Sequence, residues 1–511
     1  MEDVVLAKEN KKKFFKGIHI ADVLTYIFLG FGLLLMFGIF WLFKTFPNVH
    51  LDELLYQMVA PIQGTNSDMI KDFILTALLP AAGGLLVGIV ILSFIRKATI
   101  KRVFRTLYTI LAAVMIAFSS SMAWNRLDVN AFMTANTKEN RLFIEDNYVD
   151  PTDVDITFPE QKRNLLFIYL ESMENTFTSK ENGGAFDEDL IPEITAMAQE
   201  GENFNGNAGT LNGANALTGS TWTVGSMFSS SSGLPLKIAL TDHNDMSTQS
   251  QFFATTKTMG DILWENGYSN TLLVGSDAEF GGRKLYYSTH GDYEIIDHPS
   301  MQKAHKLPSD DYVAWWGFED KYLYQFAQEK LTELSQSEQP FNLTMLTVDT
   351  HFEDGYKCSL CGNEHPDDQY ADVYSCASRQ LGAFIEWCKQ QPWYENTTIV
   401  ITGDHPTMDA DFCEDVDPNY QRKVVSMVLN SPTVNQVPET YREYSTFDLF
   451  PTTLAALGAD IPGNRLGLGT DLYSGAETLT ELYGVKEENL KLMAHSAFMT
   501  KRANLSEPEQ N

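Results

Sequence analysis

Apolar positions are laid out along this chain in two different ways. Near the N-terminus they form three uncharged runs, Val23–Phe43, Phe73–Ile95 and Thr106–Trp124. Each has the ~20 residues a helix needs to cross the hydrocarbon core of a bilayer, so three transmembrane helices are predicted. A cleavable signal peptide does not fit a first run of this length followed by two more. From Asn164 the pattern changes to short apolar runs alternating with stretches of helical periodicity. Strands are predicted at Leu165–Leu170, Ser269–Val274, Asn342–Val348, Thr397–Thr402 and Lys423–Leu429. Helices are predicted at Pro192–Gln199, Thr258–Glu265, Lys321–Leu334, Ala371–Gln390 and Thr446–Leu457. This alternation implies an α/β domain with a largely parallel sheet, in which ligands bind beyond the carboxyl ends of the strands. Asn125 to Lys162 is polar, contains Pro151 and Pro159, and reads as a connector. The expected division is therefore a membrane anchor at 1–124, the connector at 125–162, a globular domain at 163–480, and a helix and tail at 481–511. Residues Arg502 to Asn511 are expected to be disordered.

Charge sharpens the division. Residues 1–124 carry twelve basic and eight acidic side chains, while the remainder carries 25 basic and 59 acidic ones. So acidic an outer part repels polyanions and excludes a nucleic-acid partner. Lys8, Lys11, Lys12, Lys13 and Lys16 precede the first run, and Arg96, Lys97, Lys101, Arg102 and Arg105 follow the second. The loop between the first two runs has only Lys44 and Lys71. The positive-inside rule then places the N-terminus and second loop in the cytoplasm and everything after Trp124 outside. All five cysteines, Cys358, Cys361, Cys376, Cys388 and Cys413, fall in that outer part. Cys358 and Cys361 could form a local disulfide, half of a zinc site or a redox pair, and a structural disulfide is the first expectation there.

Three predicted strand ends carry metal-ligating or proton-handling residues. "NLLFIYLESMENTF" runs from an apolar strand into Glu171, "NLTMLTVDTHFEDGY" delivers Asp349 and His351, and "TIVITGDHPTMD" ends on Asp404 and His405. In a parallel sheet these ends converge on one edge. Glu171, Asp404 and His405 together would hold a divalent cation and leave an open position, as a catalytic site requires. The donor set suits manganese, magnesium or zinc and does not separate them, with manganese taken as the working expectation. A fourth stretch, "TGSTWTVGSMFSSSSGLP" (Thr218 to Pro235), offers a glycine turn and small hydroxyls, then a plausible helix from Trp222. A helix N-terminus attracts phosphate, and a neighbouring metal lowers the pKa of a hydroxyl, so Ser220 or Thr221 is a candidate nucleophile. Simple N-capping is the structural alternative. The serine-rich stretch Ser229 to Ser232 reads as a polar helix or loop surface.

The order of these motifs, together with "GSDAEFGGRKLYYSTHG" and "FDLFPTTLAALGADIP", resembles the lipoteichoic acid synthase and glucan phosphoglycerol transferase branch of the sulfatase/alkaline-phosphatase superfamily. The likeness covers roughly residues 145–475. It implies an extracytoplasmic sulfatase-like domain with a mixed, largely parallel sheet, attached to a bacterial cell membrane by several passes. It implies Glu171, Asp404 and His405 as metal ligands, with Ser220 on the family's nucleophile, also touching the metal, and Thr221 as its rival. It places His351 near the leaving or attacking oxygen, and Arg283 and Asp277 at the phosphoglycerol head group. The implied reaction moves phosphoglycerol from phosphatidylglycerol to an envelope glycan, glycolipid or polyglycerolphosphate acceptor through a covalent glycerophospho-enzyme. The sequence departs from the family pattern in a serine where threonine is usual, in three spans where five are common, and in the Cys358–Cys361 insertion. "GSTWTVG" lacks the C/S-x-P-x-R motif of sulfatase activity itself. Phosphoethanolamine transfer at the same site, or a non-catalytic envelope scaffold, are the alternatives.

Overall fold

The structure, a computed structural model, describes residues 20–60, 63, 65, 67–238 and 250–503. Lys8 to Lys16, which weigh in the expected orientation, and the tail beyond 503 lie outside the described residues. The chain forms two compact units. One comprises Met1–Pro47 with Asn66–Asn130, and the other Asn48–Thr65 with Ala131–Asn511. The loop between the first two apolar runs thus belongs to the second unit.

In the first unit, helices α1 (Ile20–Thr45), α3 (Met69–Phe94) and α4 (Ala98–Arg126) are long and apolar enough to cross a membrane. Large apolar side chains such as Ile27, Phe31, Leu86, Val87, Leu111 and Phe118 are exposed along them, as in helices meant for lipid. α3 contains one turn of π-helix, Ile74–Leu78, immediately before Leu79 and Pro80, whose ring nitrogen cannot donate to the helical ladder. Gly32 lets α1 approach α4 closely, because a Cβ there would lie 3.1 Å from the Ala112 carbonyl oxygen. Buried Asp22 at the start of α1 meets Lys101 at 2.6 Å and Arg105 at 3.3 Å near the start of α4. The two helices therefore begin at the same end of the bundle.

The second unit is built on a seven-stranded sheet. Its strands are β1 (Asn164–Leu170), β2 (Gly213–Ala214), β3 (Ser269–Val274), β4 (Glu294–Ile296), β5 (Phe341–Leu346), β6 (Thr397–Gly403) and β7 (Val424–Leu429), in the order β2-β7-β6-β1-β5-β3-β4. The pairs β6–β1–β5–β3–β4 are parallel, while β7 runs antiparallel to β6 and β2 antiparallel to β7. The sheet is mixed and largely parallel, as expected. β1, β5 and β6 are buried along their whole length, which is why they read as continuous apolar runs without alternation. β2 and β4 are too short to leave a periodic signal. The predicted strand at Asn342–Val348 ends earlier, since the Val348 N–H leaves the ladder and donates to Asp320 at 2.8 Å. Helices α5 (Pro192–Glu200), α7 (Asp320–Leu334) and α8 (Gln369–Lys389) contribute to the main apolar core with Leu166, Ile168, Met345, Ile399 and Ile401.

Two local expectations change. Ser229 to Ser232 are not surface but buried in α6 (Thr223–Ser232). Their hydroxyls are satisfied within the helix, Ser230 donating to the Ser226 carbonyl at 2.7 Å and Ser232 to the Phe228 carbonyl at 2.6 Å. Arg502, expected in a disordered tail, ends a helix at Ala497–Ala503 and pairs with Asp150 at 3.1 Å.

Arg442 is one of the buried polar ties in this unit. Buried, it donates to the Leu472, Ser474 and Ala476 carbonyls and pairs through Nε with Glu481 at 2.8 Å. Arg442→Met leaves a carboxylate and three carbonyls without this donor. Thermal unfolding of this variant is expected to show a loss of about 3–5 kcal/mol, the cost of breaking a buried ion pair from one side.

Candidate active site

The register of the three central strands assembles the site. β1 and β6 pair so that Leu170 stands opposite Gly403, which makes Glu171 and Asp404 neighbours where the strands end. The ligand atoms of Glu171, Asp404 and His405 all lie within 4.8 Å of one another, and all three residues are buried. His405 Nε2 lies 3.5 Å from Glu171 Oε1 and 3.5 Å from Asp404 Oδ2. Its Nδ1 lies 2.9 Å from the Pro406 carbonyl, which only accepts, so Nδ1 carries the proton and Nε2 is left to bind a cation.

These groups are held in place by a surrounding set of hydrogen bonds. Ser172, in the left-handed region at φ 53°, and His405 donate their N–H groups to Asp404 Oδ1 at 2.8 and 2.7 Å. Thr347 and Thr350, just past β5, bond the Glu171 N–H and carbonyl at 2.9 and 2.6 Å. Asp404 Oδ2 is buried and has no hydrogen-bond partner. An orphaned carboxylate oxygen facing a second carboxylate and an imidazole nitrogen fits a divalent cation. Glu171, Asp404 and His405 would hold it.

Ser172 Oγ, beside Glu171 in sequence, donates to Glu171 Oε1 at 2.8 Å, and the hydroxyl that a helix start brings to the cluster is neither of those expected from sequence. Ser220 is locked in its own turn, accepting from the Leu217 N–H at 2.9 Å and donating to the Leu217 carbonyl at 2.8 Å. Thr221 Oγ1 is buried without a partner. Thr223, the first residue of α6, lies 3.4 Å from Glu171 Oε2 and 3.4 Å from His405 Nε2. The turn before it needs Gly219, at φ 84°, where a Cβ would fall 2.5 Å from the Pro235 side chain. No side chain caps α6, so its first N–H groups have no capping partner at the end nearest the cluster.

His351 stands on the same sheet edge, its ring packed on Trp316 at 4.6 Å and its Nδ1 2.8 Å from the Phe352 carbonyl. Burial lowers it to about 4, against the raising effect of that carbonyl. Asp349, two residues earlier, does not join the cluster; it accepts from the Asp320 N–H at the start of α7 at 3.2 Å. Arg283 is buried, with its guanidinium directed at Ser276 Oγ at 3.0 Å and the Asp277 carbonyl at 2.8 Å. Burial lowers its pKa while Glu171 is foremost among the acids that oppose this. The Asp277 carboxylate turns away and accepts from the Glu279 N–H at 2.9 Å.

Sequence reasoning missed the loop at 48–65. Its short helix α2 (Leu51–Gln57) places Asp52 Oδ2 2.5 Å from the Gly219 N–H, and Tyr56 against Trp222 with a hydrogen bond to the Gly281 carbonyl. Glu53 is buried with Oε2 unpartnered; burial raises its carboxyl to about 8, with His405 the main opposing charge. The acidic "LDELLYQ" between two apolar runs was the available signal.

A family profile for sulfatases matches residues 163–459. Phosphoglycerol transferase I of Escherichia coli and that of Shigella boydii are each 31% identical over 340 residues, 65% of this chain. The chain spans 42% of the length of these curated relatives. The crystal structure of the lipoteichoic acid synthase LtaP from Listeria monocytogenes superposes with a TM-score of 0.49 at 19% identity, over 66% of this chain and 81% of that one. The lipooligosaccharide phosphoethanolamine transferase EptA from Neisseria meningitidis gives 0.49 at 13% identity, over 85% and 84%.

The ionisation of the cluster sets how a cation should bind. Burial, then Glu171, raises Asp404 to about 7. His405 is pulled down by burial and up by Asp404 and Glu171, and ends at about 8. Both groups hold protons below these values and must lose them to become ligands. Manganese affinity measured by competition titration is therefore expected to be at least about tenfold weaker at pH 6 than at pH 8. An affinity flat across that interval would contradict the assignment.

Proposed function

The chain belongs to the sulfatase family, and from that membership and the site geometry we propose that it transfers phosphoglycerol from phosphatidylglycerol to a hydroxyl of an envelope glycan, glycolipid or polyglycerolphosphate chain. The observation that carries this reading is Thr223 Oγ1, 3.4 Å from both Glu171 and His405 at the start of a helix with no side-chain cap. Such a hydroxyl is placed to attack phosphorus, and the first N–H groups of α6 suit the phosphoryl oxygens. Ser220 is already committed twice within its turn, so the nucleophile is assigned to Thr223.

The reaction has two displacements. Thr223 Oγ bonds to phosphorus, the bond to the diacylglycerol oxygen breaks, and diacylglycerol leaves with a proton. The acceptor hydroxyl then bonds to phosphorus and the Thr223 ester breaks, returning the threonine. His351 starts neutral at pH 7, so its imidazole can take the proton of the attacking hydroxyl and return it to the leaving oxygen. Arg283 offers a planar fork of donors to the phosphate. A divalent cation held by Glu171, Asp404 and His405, manganese first, supplies charge to the phosphoryl oxygen and acidifies the hydroxyl. Three spans in a bacterial cell membrane suit a donor lipid in the same bilayer, with the second unit outside the cytoplasm.

One observation favours a second head group. Glu53 brings a buried, partly unpaired carboxyl to the site, and when ionised it would pair with the ammonium of phosphoethanolamine. When protonated it donates to a glycerol hydroxyl. The masses of the two covalent adducts differ, so intact-protein mass spectrometry after exposure to each lipid separates the readings.

Turnover of a labelled phosphatidylglycerol analogue in manganese is expected to fall more than about a thousandfold in Thr223→Ala, and far less in Thr223→Ser. Ser220→Ala and Thr221→Ala should keep measurable turnover. Loss in Ser220→Ala with retention in Thr223→Ala would return the nucleophile to the turn.

A further inference from the structure

Three of the five cysteines converge away from the site just described. Cys358 and Cys361 lie on the loop that follows His351, and Cys376 lies on α8. Cys358 Sγ is 3.8 Å from Cys361 Sγ and 3.9 Å from Cys376 Sγ, and all three sulfurs lie within 4.8 Å of one another. Cys358 and Cys376 are buried, and all five cysteines are free thiols, so the expected Cys358–Cys361 disulfide is not formed. We propose that Cys358, Cys361 and Cys376 form a structural zinc site, closed on its fourth side by Gln380, which staples the His351 loop to α8.

The distances are those of a metal-centred tetrahedron. Zinc–sulfur bonds of about 2.3 Å at tetrahedral angles put neighbouring sulfurs about 3.8 Å apart, whereas a disulfide needs about 2.0 Å. Unbonded sulfurs in plain contact come nearly as close, so two further features carry the reading. The first is local. The Leu360 N–H donates to Cys358 Sγ at 3.4 Å and the Cys361 N–H to the Cys358 carbonyl at 3.1 Å. This tight C-x-x-C turn aims both thiols to one side and offers a backbone donor to sulfur, which favours the thiolate.

The second feature is the fourth vertex. Gln380, one helical turn beyond Cys376, has Nε2 3.4 Å from Cys376 Sγ and 3.9 Å from Cys358 Sγ, while its Oε1 is buried without a partner. Exchanging the two amide positions, which X–N and X–O geometry scarcely distinguishes, puts the orphaned oxygen over the sulfurs. The edge from sulfur to an oxygen ligand bound at about 2.1 Å is about 3.5 Å, close to that placement. Three thiolates select a borderline-soft ion such as zinc over manganese or magnesium, so this site and the oxygen-rich cluster would not compete for one metal. The staple does not depend on the proposed transfer reaction.

The loop it would hold already meets α8 and its neighbours through polar contacts, the His365 N–H donating to Asp372 at 2.8 Å and the Asp354 N–H to Asp409 at 3.0 Å. Lys357 reaches Asp372 on α8 at 2.5 Å, and Tyr356 stacks on Trp315 with ring centres 6.3 Å apart. The same helix carries Tyr370 and Tyr374, whose hydroxyls donate to the Thr350 and Ser172 carbonyls at 2.7 and 3.0 Å. Fixing the loop to α8 therefore fixes His351 relative to the strand ends.

The test uses the full chain purified in detergent under reducing conditions with zinc supplied. Metal content is read by elemental mass spectrometry in Asp404→Ala, which disables the oxygen-rich cluster, and in Asp404→Ala combined with Cys361→Ser. The expected result is about one zinc per chain in the first and none in the second, with zinc released from the first by a thiol-specific mercurial. Cobalt substitution of Asp404→Ala should add thiolate charge-transfer absorption. Should the double variant not fold, protection of three thiols from alkylation by zinc in Asp404→Ala gives the same information. No zinc in Asp404→Ala, three thiols alkylated equally with and without zinc, or a Cys358–Cys361 or Cys358–Cys376 disulfide in the isolated protein would each overturn the proposal.

Discussion

Everything in the second unit is arranged around one costly placement, two carboxylates and an imidazole buried side by side at the ends of adjacent strands. Like charges at this spacing repel, and burial removes the water that would screen them. The fold tolerates them because each is held by polar groups, some from the same loop and some from neighbouring elements. Backbone N–H groups take one oxygen of Asp404, threonines beyond β5 fix the backbone of Glu171, and Pro406 sets the tautomer of His405. What remains unpaired is one carboxylate oxygen aimed at the others. That arrangement suits a cation, and the Thr223 hydroxyl at the start of α6 lies 3.4 Å from two of the groups that would hold it.

The parts of this arrangement that were legible in the sequence are those fixed by strand ends. Continuous apolar runs that stop at Glu171, at Asp349 and at Asp404 announce buried parallel strands and place their next residues on one edge. Which of several hydroxyls faces that edge is a different kind of question. It depends on whether the helix begins at Trp222 or Thr223 and on the left-handed Gly219, where a one-residue shift turns a side chain by about 100°. Ser220 and Thr223 are three residues apart, and the turn consumes the first and presents the second. The buried serines at 229 to 232 failed to read as core for a related reason. Hydroxyls that bond the preceding helical turn behave as small apolar groups, and composition alone cannot reveal that.

Two features lay beyond any local reading. The segment at 48–65 sits between apolar runs, yet Asp52, Glu53 and Tyr56 meet residues more than 160 positions away. Long-range pairing of this sort leaves no periodic trace. The third thiol of the cysteine cluster is likewise separated from the C-x-x-C turn by the loop and the first turns of α8, so spacing suggested a pair where the fold brings three together. Both features bear on the same strand edge, one behind Gly219 and the other behind His351.

The central claim is that Thr223 is the residue that carries the phosphoryl group. It is tested most directly by incubating the manganese-loaded protein with phosphatidylglycerol without acceptor, quenching in acid, and mapping the adduct by peptide fragmentation. A phosphoglycerol mass on Thr223 is the predicted result. The same mass on Ser220 or Thr221, or no covalent adduct while turnover proceeds, would contradict it.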